Sequence, residues 1–112
     1  MKKYLIGIDV GTTSIKTIIC DASEYKIIGS SKSEHHLLSP QPGWAEENTE
    51  DWWSGVQSTI KDCLKKTGIN PQDISGIGIT GMAPAFILLD KEGNVLRPSM
   101  QQNDARTYKQ ID

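Results

Sequence analysis

The chain has 112 residues, 37 % of them hydrophobic and 23 % charged, which is one small globular domain of ordinary composition. A net charge of −2 argues against a general nucleic-acid or membrane-surface binder, and no apolar stretch is long enough to span a bilayer. The start leads straight into a strand without a signal peptide, and Cys20 and Cys63 lack metal spacing, so a reduced, cytoplasmic protein is expected.

Residues 3–10 alternate, with Tyr4, Ile6, Ile8 and Val10 on one side and Leu5, Gly7 and Asp9 on the other. Residues 14–21 alternate again, so two strands are predicted, paired as an antiparallel hairpin across a short tip. A turn at 21–24 leads to a third strand over 25–33, completing a meander. A loop over 35–47 carries Pro40, Pro42 and Gly43. Asn48 then caps a helix with Glu50 and Asp51 in its first turn, where carboxylates suit the dipole. Trp52, Val56, Ile60 and Leu64, joined by Trp53 and Cys63, give one apolar face, and Gly68 is the expected stop. A fourth strand is predicted over 74–80, then strand residues 86–89 turned by 90–94 into Val95 and Leu96. Residues 100–103 read as a short strand before a final helix capped by Asn103 or Asp104. The result is an α/β layer with a mixed sheet. The final helix stops after about two turns, which reads as a piece of something longer.

The stretch "IGIDVGTTSIK" places one aspartate at a strand end beside a Gly-Thr-Thr tip. Gly11 can take positive φ and admit a ligand close to the backbone. Turn N–H groups can form an anion nest, and Thr12, Thr13 and Ser14 add hydroxyl donors. Asp9 can hold Mg²⁺, directly or through water. An ordinary hairpin with polar turn residues explains the same letters. "GIGITG" matches the dinucleotide fingerprint in letters only, because it is itself strand-like and is followed by Met-Ala-Pro-Ala rather than a helix. Its glycines read better as close packing in a buried strand. No P-loop is present. His35 and His36 read as a loop or strand-end pair rather than metal ligands, since neighbouring strand residues face opposite ways. Trp44 reads as a loop anchor, with a sugar platform as the alternative. Glu46, Glu47, Glu50 and Asp51 read as a solvated helix start.

Four stretches, in order, resemble the N-terminal part of the FGGY carbohydrate kinases. "GIDVGTTSIKTIICD" is similar to the family's first phosphate motif, and "QPGWAEENTEDWW" to its P-G-W-x-E-x-x-x-x-x-W segment. "ISGIGITGMAPAFILLDKEGNVLRP" is similar to its fourth-strand and hairpin region, and "NDART" to its N-D-x-R. The resemblance covers essentially the whole chain but only the first part of the N-terminal, substrate-side domain, so residues 1–112 leave the rest of that domain and the C-terminal domain unrepresented. It implies a truncated ribonuclease H-like fold of the actin/hexokinase ATPase type, and phosphorylation of a sugar or polyol hydroxyl with ATP and Mg²⁺. On it, Asp9 places the metal. Gly11, Thr12, Thr13 and Ser14 approach the phosphates. Lys16 stabilises the transferred phosphoryl, a solvated strand lysine being the other reading. Met82, Ala83, Pro84, Asn103, Asp104 and Arg106 fall at the acceptor site.

One departure matters. Xylulokinase-like members carry Gln-Met-His-Gly after the fourth strand and glycerol kinases Gln-Arg-Glu; here the stretch is Met82-Ala83-Pro84-Ala85, without a polar side chain. The acceptor is therefore not assigned to xylulose, gluconate or glycerol. The catalytic base and the adenosine site are expected beyond residue 112, so the whole protein is the expected enzyme and the segment alone is expected to be inactive. Its partner is a small sugar or polyol, with neither nucleic acid nor membrane; a homodimer is one assembly it could form. A non-kinase ATPase of the actin or chaperone kind is the alternative, opposed by the P-G-W segment and the "FILLDKEGNVLRP" hairpin. A small non-enzymatic domain is opposed by the dangling final helix.

Overall fold

The computed structural model describes residues 3–111. Strand β1 (Tyr4–Val10) pairs antiparallel with β2 (Ser14–Asp21), which pairs antiparallel with β3 (Lys26–Glu34). The predicted meander forms for local reasons. Asp21 Oδ1 accepts from the backbone N–H groups of Ser23 and Glu24 and from the Ser23 hydroxyl, and Tyr25 closes the turn at φ 56°.

Two elements follow that have opposite legibility. β4 (Glu46–Glu47) is a two-residue strand inside the expected loop. Helix α1 (Thr49–Thr67) has the predicted ends: the Asn48 side chain accepts from Glu50 N–H, and Gly68 sits at φ 68° while its N–H donates to the Leu64 carbonyl.

A 3₁₀ turn at Pro71–Asp73 enters β5 (Ile74–Gly81), which pairs parallel with β1. The sheet order is β3-β2-β1-β5. A small second sheet pairs β4 with β6 (Ser99–Met100), so the short strand predicted over 100–103 starts earlier. Between these lies the predicted 86–96 hairpin, reduced to the bridge Leu89–Val95 and the bonds Leu96 N–H to Leu88 O and Asp90 N–H to Asn94 O. The final helix α2 (Tyr108–Ile111) begins later than expected, because Asp104 does not cap it: that carboxylate is engaged by Arg106 and Ala45.

The core lies between α1 and one face of the sheet, where Ile6, Ile8, Ile15, Ile19 and Cys63 are buried together. Trp52, Val56, Ile60 and Leu64 pack against it half-buried. The residues buried deepest on the helix are the expected Cys63 and, one position off the large apolar stripe, the smaller Gly55 and Thr59. They let the helix backbone approach β2, where the Thr17 and Thr59 hydroxyls meet at 2.7 Å. Trp53, expected in the core, is 60 % exposed because it lies outside this contact arc.

A Cβ on Gly55 would stand 2.6 Å from Ile15 Cγ1. Gly55→Ala is therefore expected to destabilise the fold by about 1–3 kcal/mol through overpacking, exceeding the helix-propensity gain of about 1 kcal/mol. Urea unfolding reads the sign; a raised midpoint would show that the helix shifts freely.

The opposite face of β1, β2 and β5 lines a groove of about 540 Å³ that includes Asp9 and Lys16. Within the described segment "GIGITG" forms β5 without the expected burial. β5 is a sheet edge, Ile79 is 72 % exposed, and a Cβ on Gly78 would meet nothing within 4 Å.

Candidate functional site

The site begins where β1 and β5 end. Asp9 stands opposite Lys16 across the hairpin, and their side chains share the groove face with Thr80. The tip is closed by Gly11 N–H donating to the Ser14 carbonyl at 3.0 Å. Gly11 does not use positive φ, contrary to expectation: the left-handed glycines are Gly43, Gly68 and Gly93. Its lack of a side chain matters for space instead, since a Cβ there would sit 3.1 Å from the Ser14 carbonyl oxygen. Thr12 is half-buried, Thr13 exposed and Ser14 buried.

Among the described residues, neither Asp9 nor Lys16 makes a side-chain hydrogen bond or ion pair, and no group of three metal-ligating side chains occurs. A lone carboxylate facing an open groove fits Mg²⁺, which keeps several waters and is commonly held by one or two carboxylates together with substrate phosphates. It does not fit an all-protein metal cage.

Parallel pairing brings a second segment to the tip. Asp9 aligns with Thr80 and Val10 with Gly81, so the chain leaving β5 emerges beside Gly-Thr-Thr. Met82 N–H donates to the Val10 carbonyl at 3.1 Å, and the Thr12 hydroxyl donates to Met82 Sδ at 3.4 Å. The Ala83–Pro84 peptide is cis. Pro84 and Asp104 line one small cavity of about 140 Å³. The expected phosphate tip and the expected acceptor loop are thus neighbours, at the carboxyl ends of parallel strands where α/β sheets usually bind ligands.

Behind this loop lies a knot of charge. Arg106 donates from Nε and Nη2 to Asp104 at 2.6–3.0 Å, and from Nη2 to Glu46 Oε2 at 3.0 Å. Arg97 donates to the same Glu46 oxygen at 2.7 Å. Ala45 N–H donates to Asp104 Oδ2 at 2.7 Å. The Arg106 guanidinium lies 3.7 Å from the centroid of the Trp44 ring, so Trp44 serves as the loop anchor. Arg106 holds the Asp104 carboxyl far below the usual carboxylate range, against the opposing effect of burial. Hydrogen bonding to Asp104, more than to Glu46, raises the already high pKa of Arg106.

The P-G-W-x-E and N-D-x-R stretches are therefore one interlocked structure. Both Asp104 oxygens and the Arg106 fork are turned toward each other, whereas Asn103 is exposed. Glu46 and Glu47 are not a solvated helix start. Glu47 is fully buried, and its Oε2 accepts from Trp52 Nε1 at 2.7 Å. Burial pushes the Glu47 carboxyl up, opposed by the Trp52 hydrogen bond and by the charge of His35.

His35 and His36 stand just after β3 and face opposite ways, as expected of a strand-end pair. His35 is 7 % exposed and touches the tip, while His36 is exposed. The one local signal of that contact is position, immediately after the strand that flanks the hairpin.

A mixed sheet with an antiparallel β1–β2 hairpin, a parallel β5 and a hydroxyl-bearing tip beside the β5 exit is the opening of an actin/hexokinase-type ATPase fold. Residues 4–112 match the N-terminal domain of the FGGY family of carbohydrate kinases, and the chain belongs to that family. It is 43 % identical over 90 residues to glycerol kinase 1 of Lactiplantibacillus plantarum, covering 80 % of this chain and 18 % of that protein. Among solved structures it is similar to xylulose kinase from Rhodospirillum rubrum, with a TM-score of 0.88, 36 % identity, and coverage of 97 % of this chain and 22 % of that one. It is also similar to gluconate kinase from Lactobacillus acidophilus, with a TM-score of 0.85, 30 % identity, and coverage of 97 % and 21 %. The chain thus spans about a fifth of the length of the relatives it matches. No helix among the described residues is long and apolar enough to cross a membrane.

Proposed function

We propose that the protein carrying this segment is an ATP-dependent kinase that transfers the γ-phosphoryl group to a hydroxyl of a sugar or polyol. The observation that supports this reading is the bond from Met82 N–H to Val10 O, which holds the Met82-Ala83-Pro84 stretch beside the Gly-Thr-Thr tip. Phosphoryl transfer is mainly a matter of positioning and charge, and needs acceptor and phosphates side by side.

In this reading the N–H groups and hydroxyls of Gly11, Thr12, Thr13 and Ser14 hold the phosphates. Asp9 orients Mg²⁺, which when bound neutralises phosphate charge. Lys16, its cross-strand partner, offsets negative charge on the moving phosphoryl. Met82, Ala83 and Pro84 form one wall of the acceptor pocket, with Asn103 as a polar contact. Asp104 and Arg106 act on the acceptor by fixing that wall, since their polar atoms are engaged with each other. The base that activates the hydroxyl is assigned to no residue of the segment. A family of soluble metabolic kinases and two unpaired cysteines suit a cytoplasmic location.

The test is coupled ADP detection with the intact protein across polyols, ketoses and aldonates. Saturable turnover with one class supports the reading; no turnover with any of them contradicts it. The same panel checks the acceptor wall. Ala83→Met combined with Pro84→His is expected to shift the ranking of acceptors by about 10–200-fold, the range open to small pocket changes, with the KM for ATP nearly unchanged. An unchanged ranking would place acceptor selection elsewhere.

A further inference from the structure

The imidazole of His35 is buried against the hairpin tip, with Nε2 2.8 Å from the Gly11 carbonyl oxygen. A carbonyl only accepts, so Nε2 carries the proton and donates. The backbone N–H of His35 donates to the Thr13 carbonyl at 3.0 Å. One residue therefore holds two of the tip's carbonyls.

These bonds do more than fill space. The carbonyl of Gly11 and the N–H of Thr12 belong to one planar trans peptide and point in opposite directions. Drawing the Gly11 carbonyl toward His35 aims the Thr12 N–H away from it. The same holds for the Thr13 carbonyl and the Ser14 N–H. Within the turn the tip is also held by the Gly11–Ser14 bond and the weak contact from Thr12 to Met82 sulfur.

Glu47 stands behind the imidazole. The ring Nδ1 lies 3.7 Å from Glu47 Oε2, and that carboxylate is fixed by Trp52 Nε1 from α1. Ser99 Oγ donates to the Glu47 carbonyl, fastening the same residue to β6. His35 Nδ1 and Glu47 Oε1 are both buried without a hydrogen-bond partner, so the approach of Nδ1 to Oε2 is a contact and not a bond.

We propose that His35 is a positioning residue for phosphoryl transfer, clamping the Gly11 carbonyl so that the tip presents the Thr12 and Ser14 N–H groups to nucleotide phosphates, with Glu47 packed behind the ring. The proposal rests on the kinase reading above. It gives a role to the buried Trp52–Glu47–His35 chain, which runs from α1 to the tip and which the acceptor wall does not use.

Methionine and glutamine have similar length, but only glutamine can donate an N–H, so His35→Met and His35→Gln in the intact protein separate packing from clamping. His35→Met is expected to lower kcat/KM for MgATP by about 10²-fold, the scale of a small misplacement of a reacting group. The KM for the acceptor stays unchanged, and His35→Gln recovers most of the loss. Wild-type MgATP kinetics in His35→Met, or equal losses in both variants, overturn the proposal. Should His35→Met fail to fold, long-range ¹H–¹⁵N spectra of the unsubstituted protein decide: a proton on Nε2 is expected, and a bare Nε2 overturns the clamp. Absence of turnover in the unsubstituted protein counts against the kinase reading, whereas turnover that His35→Met leaves intact counts against the clamp alone.

Discussion

On the kinase reading, Asp9→Ala in the intact protein is expected to lower kcat by about 10²–10⁴-fold, since metal placement is worth several kcal/mol in the transition state and each 1.36 kcal/mol is tenfold. The fold is spared. Asp9 lies at the end of β1, half-exposed on the groove, and makes no side-chain bond or ion pair among the described residues, so its removal strands no buried partner. The loss is in chemistry and in the Mg²⁺ dependence of the rate. Steady-state kinetics with a urea midpoint on the same sample check both halves. Normal kcat in the folded variant contradicts the metal role, and collapse of the fold contradicts the description of Asp9 as unpartnered.

Arg106→Ala has its largest effect on stability. The side chains of Asp104 and Glu46 are 5 % and 7 % exposed, and Arg106 bridges them. Its removal leaves the Asp104 carboxylate without a cation, whereas Glu46 keeps Arg97, so the urea midpoint is expected to fall clearly. The packing of the guanidinium on Trp44 is lost too. Arg106→Lys recovers little, since an ammonium cannot reproduce the planar fork.

The pH dependence has a definite sign. Arg106 lowers the folded-state pKa of Asp104 below its ordinary 3.8. Such a carboxylate contributes stability that is fully present above its unfolded-state value and is lost as pH falls toward its folded-state value. The gap between the unsubstituted protein and Arg106→Ala is therefore widest near neutrality and narrows below about pH 4. Urea unfolding at pH 7 and pH 3 measures it. A gap that stays constant between the two would remove Asp104 as the origin.

The legible parts of this structure are those whose causes are local. Alternating β-branched residues specify β1 and β2, and Asn48 and Gly68 mark both ends of α1 through their own side-chain and backbone chemistry. The Asp9-Gly11-Thr12 tip was readable for the same reason. β4 was not, and β6 only in its approximate place, since two-residue strands have no period and this pair joins residues more than fifty positions apart. Glu47 misled because an acidic run before a helix usually faces water; only Trp52 and His35, placed by the tertiary fold, make its burial tolerable. Of the deepest stripe of α1 only Cys63 was legible; Gly55 and Thr59 were not, because periodicity highlights the large apolar residues beside them. That Met82 sits at the tip depends on the parallel pairing of β1 with β5, which spacing along the chain does not encode.

The measurement that bears most directly on the kinase reading is the fate of labelled γ-phosphate. The intact protein is supplied with MgATP labelled in the γ-phosphoryl group and with the acceptor that gives turnover, and the products are separated. The account predicts one labelled organic phosphate ester formed for each ADP, with the yield abolished by Asp9→Ala. Label released as inorganic phosphate, with the acceptor unchanged, would make the protein an ATPase on the same fold and contradict the assignment of the Met82-Ala83-Pro84 wall as an acceptor site.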